Sequence, residues 1–372
     1  MSSLNNNVSL IGHPYAPTGR GEDVRCSYRA MRSVALKPTI TDIYKLQAQD
    51  ADDLAEFAMA SSDQAAEINI FHINGDEVGQ AMAHLSYNKP WDGYKIIYPV
   101  WELARYPKEW ALQLDKFDEI WAPSQFVKNS LESECERAVY HMPLACEVVL
   151  SSFLSRRYFD IPESDYIFLY FFDVRSYTQR KNPEAAIKAF RQLLQLRPFS
   201  KARLVLKVNG GELAQDVMSR LRESIGDIAN YVTVFTRLMS DNEVKNLVRC
   251  CDCFLSLHRS EGYGRGIAEA MFLGKPVIAT AYSGNMDFMS ADTAFLVPFD
   301  LVPVGIDAYP HWRDQLWANP DNNIASQYMA RLVDDPNLGR QLGQRASQRI
   351  RLNWSYRATG LRYLQRLEAI TG

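Results

Sequence analysis

Short apolar runs rich in β-branched and aromatic residues alternate along the chain with longer amphipathic stretches. In the first half the runs fall at residues 8–11, 40–44, 68–73, 94–100, 119–122 and 138–141. A second series follows at 166–172, 203–208, 231–235, 253–257, 276–280 and 294–297. Several are continuous rather than alternating in hydrophobicity, as parallel strands covered on both faces require. Helical patterns lie between them. PEAAIKAFRQLLQL begins at Pro183, where proline suits a first turn, and DNEVKNLVRC begins at Asp241, which reads as an N-cap. Strand and helix in alternation predict an α/β architecture.

The two series meet in VVLSSFLSRRYFDIPESD, residues 148–165, which is mixed in character and reads as a linker. This predicts an N-terminal domain over residues 1–155 and a C-terminal domain over 156–354. The tail, NWSYRATGLRYLQRLEAI, has the apolar spacing of a helix that packs by one face. From about residue 355 onward it is expected to return to the N-terminal domain. A length of 372 residues suits two domains, and 47% hydrophobic with 12% aromatic residues excludes a solvated disordered chain.

Charge narrows the partners. The 41 Lys and Arg against 44 Asp and Glu give a net charge of -3, which supplies no overall field for nucleic acid or an anionic membrane. An anion must be held locally. LSRRYF and the basic helix near Arg345 to Arg351 are the places where peripheral membrane contact is conceivable, set against the commoner reading of solvated arginines. The six cysteines form no evident disulfide framework, the N-terminus lacks the layout of a secretory signal, and no apolar run approaches the roughly 18 residues of a spanning helix. A cytoplasmic location, including the inner face of the cell membrane, is expected.

The densest chemistry is FLSLHRSEGYGRGIAEAMFLGKPVIATAYSGNMDFM, residues 254–289. Its grammar is strand, glycine-rich loop, helix, strand, with Gly274 as a left-handed cap and Pro276 ending the helix. Gly262, Gly264 and Gly266 let a ligand approach backbone amides, and a helix N-terminus there is a seat for phosphate. Glu261 and Glu269, with seven residues between them, would address opposite ends of one ligand. Carboxylates accept from vicinal hydroxyls, so Glu269 suits a ribose and Glu261 a sugar ring. Tyr263 and Arg265 complete the loop. The competing reading makes both glutamates ordinary helix-terminal residues stabilised by the dipole.

SEGYGRGIAEAMFLGKPVIAT, with its Glu-x7-Glu spacing, closely resembles the signature of retaining glycosyltransferases of family 4, which have the GT-B fold. RKNPEAAIKAF, YPVWELARYPKEW, DEIWAPSQFV and LWANPDN resemble a bacterial polysaccharide-type subgroup of that family. The resemblance implies two Rossmann-like domains with mainly parallel sheets facing across a cleft, a nucleotide-sugar donor on the C-terminal one and an acceptor on the N-terminal one. In such relatives a lysine preceded by an arginine binds the diphosphate. Lys181 occupies the lysine position, and its partner is either Arg175, at the usual spacing, or the adjacent Arg180. The resemblance further implies that Gly19 and Gly21, in the loop after the first strand, border the donor phosphates, and that Leu238 and Met239 lie near the base.

Two loops at strand ends are the acceptor-site candidates: INIFHINGDEVG with His72 and Asn74, and YPVWELARYP with Trp101 and Glu102. An aromatic beside a carboxylate suits sugar stacking and hydroxyl recognition, and core or capping roles are equally open for each. Asp50-Ala51-Asp52 matches a metal-binding pattern nominally, but no strand delivers it, and Cys250, Cys251 and Cys253 have no second pair at zinc spacing. No metal and no cofactor are therefore expected.

These readings together predict a retaining transferase that moves a hexose from a nucleoside diphosphate sugar to a hydroxyl of a glycan or lipid-linked acceptor. GDP-mannose is the first donor candidate and UDP-hexoses the second. A nucleotide-sugar epimerase of the same fold is the rival.

Overall fold

The computed structural model describes residues 7–16, 18–44, 54–86 and 92–372. Its contacts divide the chain into two units, Met1–Cys146 with Leu352–Gly372, and Glu147–Arg351. In the first unit the strands are β1 (Val8–Gly12), β2 (Thr39–Asp42), β3 (Ile68–Phe71), β4 (Tyr94–Ile97), β5 (Glu119–Ala122) and β6 (Val139–His141). They form a parallel sheet in the order β2-β1-β3-β4-β5-β6. In the second unit β7 (Tyr166–Asp173), β8 (Ala202–Asn209), β9 (Val232–Phe235), β10 (Cys253–Ser256), β11 (Val277–Thr280) and β12 (Phe295–Val297) form another, in the order β12-β11-β10-β7-β8-β9. Each apolar run of the sequence became one of these strands. Every residue of β1, β3, β5, β10 and β11 is buried, which is why their hydrophobicity is continuous.

The order of each sheet reverses once, between β1 and β3 in the first unit and between β7 and β10 in the second. Loops leaving the carboxyl ends of two such strands diverge, and the crevice they leave is where α/β sheets bind ligands.

The C-terminal helix, Tyr356–Thr371, belongs to the first unit. It packs on helix Gly19–Ser33 at a close approach, where a β-carbon on Gly360 would stand 2.2 Å from the Ala30 carbonyl. Its Tyr363 ring stacks on Trp121 at 5.1 Å, and Arg366 pairs with Glu119 at 2.5 Å.

Three local expectations change. The expected linker folds onto the second unit: the Ser151 and Leu154 amides donate to Asn242 and Asn246, and Arg156 pairs with Asp252 at 2.6 Å. Helix Asp241–Cys250 is capped by Ser240 rather than Asp241, through a reciprocal pair of hydrogen bonds with Glu243. An antiparallel hairpin, β13 (Phe299–Pro303) with β14 (Leu316–Pro320), follows β12. The sequence pattern did not announce it, because β13 has no fully buried residue and each strand ends in proline.

Cys250, Cys251 and Cys253 are buried at the junction of helix Asp241–Cys250 with β10. Asp50 and Asp52 lie outside the described residues. Among the described residues no helix is long and apolar enough to cross a membrane.

Candidate active site

In the second unit the loops that leave β7 and β10 meet at the point where the strand order reverses. After β7 the chain makes one helical turn, Thr178–Lys181, and stops at Asn182, whose backbone is left-handed (φ 57°). The Asn182 side chain donates from Nδ2 to the Leu257 carbonyl at 2.9 Å, tying this turn to the end of β10. Pro183 then opens helix Pro183–Leu196. The turn presents two adjacent cations to one carboxylate. Lys181 Nζ lies 2.5 Å from Glu261 Oε1, and the buried Arg180 guanidinium lies 3.4 Å from Oε2 while donating to the Ser260 carbonyl at 2.9 Å. Two cations against one anion leave the cluster with one net positive charge.

Burial alone would raise the Glu261 carboxyl, yet Lys181 and Arg180 hold it down at about 2. Glu261 is therefore ionised in the folded protein at neutral pH. Because its folded value lies below its ordinary one, the associated stability is complete above the ordinary carboxylate range and is lost as pH falls from about 5 toward 2. The stability difference between the parent and Glu261→Gln, followed by denaturant titration, should shrink by roughly 3 kcal/mol over that window. A difference that stays constant would show that the cations do not hold this carboxylate.

The glycine loop has distinct local causes. Gly264 is left-handed (φ 92°) and caps helix Arg265–Phe272, a conformation that favours glycine. Gly266 is small for packing, since a β-carbon there would stand 2.5 Å from the Phe171 ring. Gly262 is crossed by another chain segment: a β-carbon on Gly284 would meet its carbonyl oxygen at 2.1 Å. The Gly284 amide donates to the Glu261 carbonyl, and the Glu261 amide donates to Ser283 Oγ at 2.8 Å. Buried His258 joins the two loops, with Nδ1 3.0 Å from Ser256 Oγ and Nε2 3.1 Å from Asn285 Oδ1. Burial lowers its pKa, as a neutral ring bridging two polar side chains requires. His258, Ser283 and Asn285 brace the Glu261 loop and were not singled out from the sequence. The signal available for Ser283 and Asn285 was YSGN, one residue after the strand VIAT. Tyr263 is buried against Phe288, the Arg265 guanidinium lies 5.9 Å over the Tyr263 ring, and part-buried Glu269 stands on the same helix.

The remaining candidates divide. Arg175 pairs through its guanidinium with Asp173 at 2.7 Å, and 62% of its side chain is exposed. Leu238 is exposed and neighbours Arg237, which pairs with Glu243 at 2.8 Å. Gly19 and Gly21 lie within the first turn of helix Gly19–Ser33 rather than before it, with Thr18 as N-cap. A β-carbon on Gly21 would meet the Ala16 carbonyl at 2.2 Å, so the loop after β1 lies directly against this helix start.

Among the acceptor candidates, His72 is buried and lies against Tyr98 with ring centroids 5.1 Å apart. Asn74 Oδ1 accepts from the Val100 amide at 2.9 Å, which joins the two acceptor loops. Trp101 is a correction: it is buried edge-on to Tyr106 and Trp110 and donates to the Arg105 carbonyl, so its ring is core rather than an open stacking platform. Glu102 is part-exposed beside it.

The switch point of the first unit holds a pair that the sequence reading passed over. His13 directly follows β1, and its Nε2 lies 2.5 Å from Glu77, which follows β3. Tyr44, beyond β2, stacks on the His13 ring at 5.3 Å. A histidine placed immediately after the first strand was the available signal.

Residues 154–300 match the family described as Glycosyl transferases group 1. Trehalose synthase of Pyrococcus horikoshii is 28% identical over 144 residues, which cover 38% of this chain and 29% of that protein. The chain therefore spans under a third of the curated relative it matches. HepE of Anabaena, solved in complex with UDP-glucose, is similar at a TM-score of 0.71 and 12% identity, covering 97% of this chain and 99% of that one. Sucrose-phosphate synthase of Thermosynechococcus elongatus is similar at 0.67 and 15% identity, with 98% of each chain covered. A glycosyltransferase of Rickettsia africae is similar at 0.70 and 14%, with 99% of each covered. Two Rossmann-like α/β domains of GT-B type are the fold of this chain.

Proposed function

We propose that the protein is a glycosyltransferase that takes a hexose from a nucleoside diphosphate sugar and transfers it, with retention at the anomeric carbon, to a hydroxyl of a glycan or lipid-linked acceptor. The observation that carries this reading is the convergence of Arg180, Lys181 and Glu261 at the switch point of the second unit, beside the start of helix Arg265–Phe272. The match of residues 154–300 and the likeness to a protein solved with UDP-glucose support it.

In this reading the bond between the anomeric carbon and the phosphate oxygen breaks with its electron pair going to the diphosphate. The acceptor oxygen bonds to the same carbon, and its proton passes to a diphosphate oxygen. The charge that develops on the leaving group is stabilised by Lys181, Arg180 and the helix start, without reorganisation of solvent. Glu261 orients the cations and accepts from the hexose hydroxyls, and Glu269 accepts from the ribose. Retention rests on the resemblance carried by the Glu-x7-Glu segment.

The test is turnover with UDP-glucose, other UDP-hexoses and GDP-mannose in the presence of EDTA. Release of nucleoside diphosphate from one of these donors is expected to continue, because the cluster supplies the positive charge a metal would otherwise bring. Loss of turnover in EDTA that a divalent ion alone restores would overturn the metal-independent mechanism. Absence of both binding and turnover for every donor would overturn the function.

A further inference from the structure

The hairpin β13–β14 carries at its tip the segment 304–315, which the proposed transfer does not use. Tyr177, Asp307, Tyr309, His311, Trp312 and Arg313 line an open hollow of about 530 Å³, a size typical of small-molecule sites. Three of these residues hold left-handed backbone: Tyr177 (φ 61°), Asp307 (φ 54°) and His311 (φ 51°). A bulky residue such as Tyr177 adopts it only where its surroundings impose it, and such strain concentrates at ligand clamps and active sites.

The lining touches the cation cluster through Arg180. Tyr177 immediately precedes the turn Thr178–Lys181, its ring meets Tyr309 at 4.8 Å, and the Arg180 guanidinium lies 5.8 Å over the Tyr309 ring. The lining is also organised within itself. Trp312 Nε1 donates to Asp307 Oδ1 at 3.0 Å, and Arg313 lies 5.1 Å over the same indole. Aromatic faces rimmed by a carboxylate, an imidazole and a guanidinium suit a pyranose: the rings pack against its C–H faces while the rim groups meet its hydroxyls. The donor's phosphates, ribose and hexose are already assigned to Arg180 and Lys181, Glu269 and Glu261. An acceptor pyranose is the ligand this lining suits, and competition by nucleotide separates it from the donor's base.

We propose that the hollow lined by Tyr177, Tyr309 and Trp312 is a carbohydrate subsite that holds a pyranose unit of the acceptor beside the diphosphate cations. This rests on the transferase reading. Saturation-transfer NMR with methyl α-D-glucopyranoside and methyl α-D-mannopyranoside, with and without UDP or GDP, tests it on the full chain. In the parent, a glycoside signal that persists at saturating nucleotide is expected. Trp312→Ala should weaken glycoside binding about tenfold with nucleotide affinity unchanged. If that variant unfolds at a lower temperature than the parent, Arg313→Ala, on an exposed side chain, decides instead. No glycoside signal in the parent, displacement of the glycoside by nucleotide, or parent-like binding in the deciding variant would each overturn the subsite. Failure of the transferase reading looks different: no nucleotide binds at all, and the acceptor role falls with it.

Discussion

Replacing Lys181 by alanine is expected to lower turnover with a nucleotide sugar by a factor of about 10² to 10³, the usual effect of removing one preorganised group from a developing oxyanion. The ammonium lies 2.5 Å from Glu261, and its side chain is only 18% exposed, so water does little to weaken its field. With Lys181 gone, Arg180 and Glu261 neutralise each other and the cluster loses its net positive charge. Nucleoside diphosphate affinity should fall as well, since that charge acts on the phosphates before and after transfer. The loss in turnover should exceed the loss in binding, because charge accumulates on the leaving oxygen only in the transition state. Donor hydrolysis rates and calorimetry with the bare diphosphate separate the two quantities. Turnover equal to the parent's would remove Lys181 from the site.

Arg180 is expected to fail differently. Arg180→Met should destabilise the second unit by about 3 kcal/mol, at the low end of what breaking a buried ion pair costs. The methionine keeps much of the packing but leaves the Ser260 carbonyl without its guanidinium donor and Glu261 with one cation instead of two. Lys181 remains, which is why the loss stays at the low end. In a unit of this size the unfolding midpoint should fall by roughly 6 to 12 °C. Thermal unfolding monitored by circular dichroism measures it directly. A midpoint within a degree of the parent's would mean that the Glu261 loop does not depend on this arginine.

The two cations also mark where reading the sequence stopped. FDVRSYTQRKNPE offered Arg175, at the usual spacing, and the adjacent Arg180 as partners for Lys181. In the structure Tyr177 and Asn182, both at positive φ, bound a single helical turn between them, and Arg180 meets Glu261 while Arg175 pairs with Asp173. Trp101 shows the same limit in the other direction. A tryptophan next to a glutamate at a strand end has the composition of a sugar platform, but Tyr106 and Trp110, five and nine residues on, fold back and bury it. The pairing of His13 with Glu77 brings together residues 64 positions apart, which no local pattern could announce.

Hydrophobic patterning by itself determined where the strands of the two parallel sheets fall and the α/β class, most directly for β1, β3, β5, β10 and β11, because a strand buried on both faces must be apolar throughout. Local residue chemistry by itself determined the loop and helix that hold Glu261 and Glu269, since glycine conformation, helix start and helix stop are short-range properties. Only the tertiary structure decided which cations meet Glu261, which aromatic residues are core, and that the tip of the hairpin after β12 lines an open hollow together with Tyr177. The first and the last of those depend on loops distant in sequence meeting beside the switch point of the second unit. That meeting is fixed by sheet order and packing rather than by the residues of any one segment.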